Sequence, residues 1–189
     1  MFLLHFLFGQ FGDPALNARA RDMLLANSDL DGDWTALGER SWRTGVLVGR
    51  NEILRRARRA GTFTAHRGFK QGPERGLFVQ VACYATPGDA EARLPDVFSR
   101  LIYAKAKRKL HGPARSEIPG SCPEHWQTKE ILSQARKGLA SQKLIAGAVS
   151  SVVFIVSGSG YDDNGWEWED VGSLATAQAA KIEARLAES

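Results

Sequence analysis

Read as a pattern of apolar and polar positions, the chain of 189 residues has its most apolar stretch at Gln142 to Gly160, QKLIAGAVSSVVFIVSGSG. Val152 to Val156 sets five apolar residues in succession. A strand with one face in water alternates, so an unbroken run fits a strand buried on both faces at the centre of a sheet. The expected neighbour is the Leu77–Tyr84 run or a hairpin partner of its own. Gly147, inside the same stretch, marks a bulge or a close backbone approach. Tyr161-Asp-Asp-Asn-Gly165 is turn chemistry. A helical period follows from Val171 or Ser173, with Val171, Leu174, Ala175, Gln178, Ile182 and Leu186 on one face.

Earlier in the chain, Asp13-Pro14 offers a helix start, with aspartate as cap and proline in the first turn. Leu16, Ala20, Met23 and Leu24 lie at helical spacing, which predicts a helix ending near Asn27. Asp29 to Trp34 reads as a turn into a strand at Thr35–Trp42. Asn51 caps a brief helix, Glu52 to Ala60, that carries Arg55, Arg56, Arg58 and Arg59. Thr62 to Phe69 alternates as a strand, and Gly72-Pro-Glu-Arg-Gly76 connects it to the next. In Leu77–Tyr84 the alternation sets Leu77, Val79, Val81 and Cys83 on one face. Thr86-Pro-Gly-Asp89 is a strong helix start, and its stripe runs through Leu94, Val97, Phe98, Leu101 and Ile102 toward Lys109, with a kink or restart at Pro95. His111 to Pro123 reads as a surface loop, and Glu130 to Lys137 as a further strand. The pattern predicts strands and helices of one domain, preceded by an apolar arm or signal remnant at 1–14.

Composition changes this picture little. Hydrophobic content of 43% and charged content of 24% are ordinary for a globular domain. The net charge of +4, from 25 basic and 21 acidic residues, does not by itself imply nucleic acid. A nucleic-acid-associated alternative rests on position instead, on the Arg55–Arg59 helix and the Lys105–Lys109 helix end. No apolar run approaches the roughly 20 residues of a membrane span. MFLLHFLF at the start has no basic region before it and no clear cleavage site after it, so it reads as a docking arm or as the tail of a signal that begins upstream. Two cysteines, Cys83 and Cys122, fit either one disulfide or two thiols.

Three features invite chemical readings. Cys122-Pro-Glu-His125 puts a thiol near an imidazole, but a zinc site needs three or four ligands, and a nucleophile needs an aligned base and an oxyanion hole. A Cys/His hydrolase is therefore the weakest of the functional readings. Gly158-Ser-Gly160 follows a strand as a phosphate-binding turn does, yet it runs into acidic residues instead of a helix N-terminus. Trp166 and Trp168, two apart on an extended segment, face one side and either cover the sheet or form an exposed aromatic patch. The binding expectation is that at least one lies on a cleft rim with the Leu94–Ile102 helix or the His111–Pro123 loop, with Arg55 and Arg59 supplying anion affinity if they face it.

The order of motifs resembles a family. Asp29-Leu-Asp-Gly-Asp-Trp34, Tyr84-Ala-Thr-Pro-Gly-Asp-Ala90, Val149-Ser-Ser-Val-Val-Phe-Ile-Val156 and Leu174-Ala-Thr-Ala-Gln178 are similar to the motifs of sensor-like domains in actinobacterial lipoproteins and in the extracellular portions of mycobacterial membrane Ser/Thr kinases. The resemblance spans about residues 15 to 187. It implies a single α+β domain at 15–189, an antiparallel sheet packed by N-terminal, middle and C-terminal helices. The implied domain is non-enzymatic, without catalytic residues or cofactor, and binds an unknown small molecule or protein in a cleft. It favours an extracytoplasmic or cell-envelope setting, and a cytoplasmic one follows if the N-terminus is complete as written. In the extracytoplasmic case Cys83 and Cys122 are expected to pair. The chain departs from the family in lacking a clear signal or lipobox and in having fewer cysteines than the better-known kinase sensor domains.

Overall fold

The computed structural model describes residues 14–43, 63–97, 120, 122–135, 138–161 and 165–188. Proline 14 opens helix α1, Pro14–Asp22. The helix stops short of the Asn27 that its periodicity predicts, and a 3-10 turn follows at Asn27–Asp29. The reason lies far away in sequence. The buried amide of Gln178 donates to the Met23 carbonyl at 2.6 Å and accepts from the Leu25 amide at 3.1 Å, standing in for the next helical turn.

Strands β1 (Thr35–Arg43), β2 (Phe63–Gln71) and β3 (Arg75–Cys83) form one antiparallel meander. After the short helix α2 (Pro87–Glu91), β4 (Gln127–Ala135), β5 (Gly138–Val149) and β6 (Val152–Tyr161) form a second. Helix α3, Trp168–Ala187, closes the described chain. The sheet runs β1-β2-β3-β6-β5-β4, so the meanders meet in an antiparallel β3–β6 pair at its centre. The result is a single α+β domain built on a six-stranded antiparallel sheet. The most apolar stretch is thus a hairpin, and its second strand pairs with both of the neighbours read as alternatives, β3 and its hairpin partner β5.

The five-residue apolar run is explained by what lies on each side of it. Val152, Phe154 and Val156 face α1 and α3, together with Leu77, Val79 and Val81 of β3. Val153 and Ile155 face the other way, against Leu144, Ala146, Ile131 and the Ala90 and Leu94 side chains of the α2 region. Val152 to Val156 are all buried. The hairpin turns at Ser150, whose φ of 51° is the left-handed conformation more often left to glycine or asparagine; that turn was not legible in the sequence.

Thr86 caps α2 as its motif predicts: its hydroxyl oxygen accepts from the Asp89 amide at 3.1 Å. Helix α2 ends at Glu91 and a 3-10 turn holds Leu94–Asp96, the interruption expected at Pro95, which has no amide hydrogen to continue the ladder. The rest of the stripe, from Phe98 to Lys109, lies outside the described residues. The strand expected at Glu130–Lys137 is Gln127–Ala135. The apolar arm, the Arg55–Arg59 helix, the Lys105–Lys109 helix end and most of the His111–Pro123 loop lie outside the described residues. No helix among the described residues is long and apolar enough to cross a membrane.

Candidate functional site

Three segments distant in sequence converge at the end of the sheet where β2 turns into β3. The first is the Leu30–Trp34 turn. Gly32 sits at φ +94°, which side chains rarely adopt. The turn is tied by the Trp34 indole N–H donating to the Asp31 carbonyl at 3.1 Å and by Asn27 Nδ2 donating to the Trp34 carbonyl at 2.9 Å. The second is Arg75 at the start of β3, and the third is the approach to α3, carrying Trp166.

These segments form a stack. The Trp34 and Trp166 rings lie 5.7 Å apart with 25° between their planes, and the Arg75 guanidinium is 4.3 Å from the Trp166 ring centroid. This distance suits a cation–π contact. Trp166 can come so close to the sheet because residue 158 is glycine; a Cβ there would lie 2.5 Å from Trp166 Cγ. The Trp166 indole N–H donates to the Ser159 carbonyl at 3.2 Å. Lys143 of β5 donates to the Trp166 carbonyl, and its ammonium lies 3.9 Å from the Glu167 carboxylate and 5.7 Å from the Trp168 ring centroid. Arg75 donates to Gln71 Oε1 at 3.3 Å and comes within 3.8 Å of the Asp170 carboxylate. Its Nε is buried with no partner among the described residues, while 31% of its side chain remains exposed.

Helix α3 fastens the same N-terminal turn from behind. Besides the Gln178 amide, Lys181 donates to the Asp29 carboxylate, which also accepts from the Ala26 amide at 2.7 Å. Partial burial pushes the Asp29 pKa up, but the Lys181 hydrogen bond, the Ala26 amide and the charges of Lys181 and Arg67 outweigh it and hold the group below its ordinary value. Arg67 of β2 pairs with Glu39 of β1 and donates to the Leu25 carbonyl at 2.7 Å, and Arg21 of α1 lies 3.0 Å from Glu39. The site is thus held by polar contacts anchored on a preformed sheet.

Of the two arrangements read for Trp166 and Trp168, covering the sheet or forming an exposed patch, the burial agrees with the first: the residues are 3% and 6% exposed. Helix α3 begins at Trp168, so the two do not share an extended segment and the alternation rule does not apply to them. Trp166 packs on Trp34 and Arg75, partners that the sequence reading did not name. The signal that could have found this contact is Gly158 inside an apolar strand, which marks close approach. Arg55 and Arg59 lie outside the described residues.

No disulfide joins Cys83 and Cys122 in the structure. Burial pushes the Cys83 thiol up to about 11, with Arg19 pulling the other way. Cys122 is buried with its sulfur 3.9 Å from the Gly172 carbonyl, whereas His125 is exposed. Gly158-Ser-Gly160 lies within β6 and leads into no helix. Among the described residues no cluster of His, Cys, Asp and Glu is arranged to hold a metal ion. The stack leaves one aromatic and one cationic side chain, Trp34 and Arg75, part-exposed at its rim.

The extracellular domain of PknH from Mycobacterium tuberculosis has the same fold. It matches with a TM-score of 0.60 at 13% identity, over 89% of this chain and 96% of that one. A Mycobacterium smegmatis protein described as an Rv0999 ortholog also matches, with a TM-score of 0.41 at 12% identity, over 90% of this chain and 97% of that one. No family model and no curated protein matches the chain. The fold implied by the sequence resemblance to extracellular kinase domains is therefore the fold the chain has.

Proposed function

We propose that this chain is a non-enzymatic, sensor-like domain that binds a small molecule or a protein, and that the part-exposed rim of Trp34 and Arg75 forms part of its binding surface. The observation that carries the reading is the shared fold with the PknH extracellular domain, at a TM-score of 0.60 over 89% of the chain. The stack supports placing the surface here. Trp166, its carbonyl held by Lys143, backs Trp34 and Arg75, and a guanidinium set against an indole is a common anchor for polar and aromatic partners.

A thermal-shift screen of small molecules and peptides, repeated on Arg75→Ala and Trp34→Phe, tests the proposal. Any ligand that binds only the folded state raises the melting temperature, and the expected hits weaken in both variants. Two outcomes overturn it. One is affinity for a generic duplex that falls steeply with salt, as phosphate contacts dictate. The other is a hydrolytic activity abolished by Cys122→Ser.

A further inference from the structure

We draw no further inference here: the strongest candidate, the group of exposed carboxylates Asp31, Asp33, Glu167 and Asp170 around the Trp34–Arg75 rim at the hairpin end of the sheet, belongs to the site already described, and nothing in the structure shows what covers it.

Discussion

Two tryptophans fill places where a strand carries no side chain, and they do so differently. Trp126 lies over Gly147 of β5, where a Cβ would fall 2.8 Å from its Cε2 and 2.7 Å from Cε1 and Cζ of Phe154. Its other contact is apolar as well, an edge-on packing against Phe154 with centroids 5.0 Å apart and 81° between the planes. Trp166 lies over Gly158 of β6, but it is surrounded by a second indole, a guanidinium, a lysine on its carbonyl and a backbone acceptor for its N–H. The first contact only fills the core. The second docks the N-terminal turn and the start of α3 onto one end of the sheet. A missing Cβ therefore says where a large ring will lie, whereas the polar neighbours decide whether the contact serves packing or assembly of a surface.

Removing the ring at the apolar contact should have the largest effect. Phe154 is fully buried, so Phe154→Ala is expected to cost about 3–5 kcal/mol in chemical denaturation. A loss under about 1 kcal/mol, the range of ordinary surface substitutions, would show that the Trp126–Phe154 contact is not a core contact.

Gln178 tests the assembly side of the comparison. Gln178→Leu keeps the volume roughly constant but strands the Met23 carbonyl and the Leu25 amide in the interior. Each stranded group costs about 1–3 kcal/mol, and removing the buried amide's own desolvation cost offsets part of the sum, so a total of about 2–4 kcal/mol is expected. Hydrogen exchange should show the loss concentrated in residues 23–34 and α3. An equal loss of protection across β3 and β6 would mean that the turn is not a separately docked piece.

The two glycines can be compared directly. Gly147→Ala and Gly158→Ala each force a ring to move, and overpacking of this kind costs about 1–3 kcal/mol. Similar stability losses are expected, with different optical consequences. Gly158→Ala should displace Trp166 from Trp34 and raise acrylamide quenching of tryptophan fluorescence, whereas Gly147→Ala should leave the Trp34–Trp166 stack alone. Equal quenching in the two variants would remove the distinction between packing and assembly.

Much of this architecture was legible because period and burial agree. The alternation in Leu77–Val81, the unbroken Val152–Val156 run and the α3 stripe all follow from which faces must leave water. The stripe even included Gln178, a polar residue that looks out of place until its bonds to the segment just after the first helix are seen. The stack was not legible, because nothing local in the sequence pairs Trp34 with Trp166 or Arg75 with either. These contacts close only after the β3–β6 pairing brings Gly76 opposite Ser159. The choice between burial and exposure for Trp166 and Trp168 stayed open for a related reason. Their spacing fits a strand until the helix is known to start at Trp168.

The smallest expected effect concerns the fastening of the turn to α3, and its sign can be fixed. Asp29 is held below its ordinary value of 3.8 in the folded chain, with Lys181 and the Ala26 amide as its partners. Below that ordinary value the unfolded chain takes up a proton more readily than the folded one. The stabilisation is therefore complete above about pH 4 and is lost as pH falls through the lowered folded value. The Asp29 side chain is 31% exposed and that of Lys181 21%, so solvent screens the pair and a contribution of only about 0.2–1 kcal/mol is expected. Asp29→Asn should accordingly lower the melting temperature slightly at pH 7 and by progressively less toward pH 3, with the wild-type and variant curves converging at the acid end. Addition of about 1 M salt, which shortens the screening length to about 3 Å, should narrow the gap at pH 7 without closing it, since the Ala26 hydrogen bond is short-ranged. A gap that stayed constant from pH 7 to pH 3 would show that the asparagine acts through packing of the turn and not through the lost carboxylate.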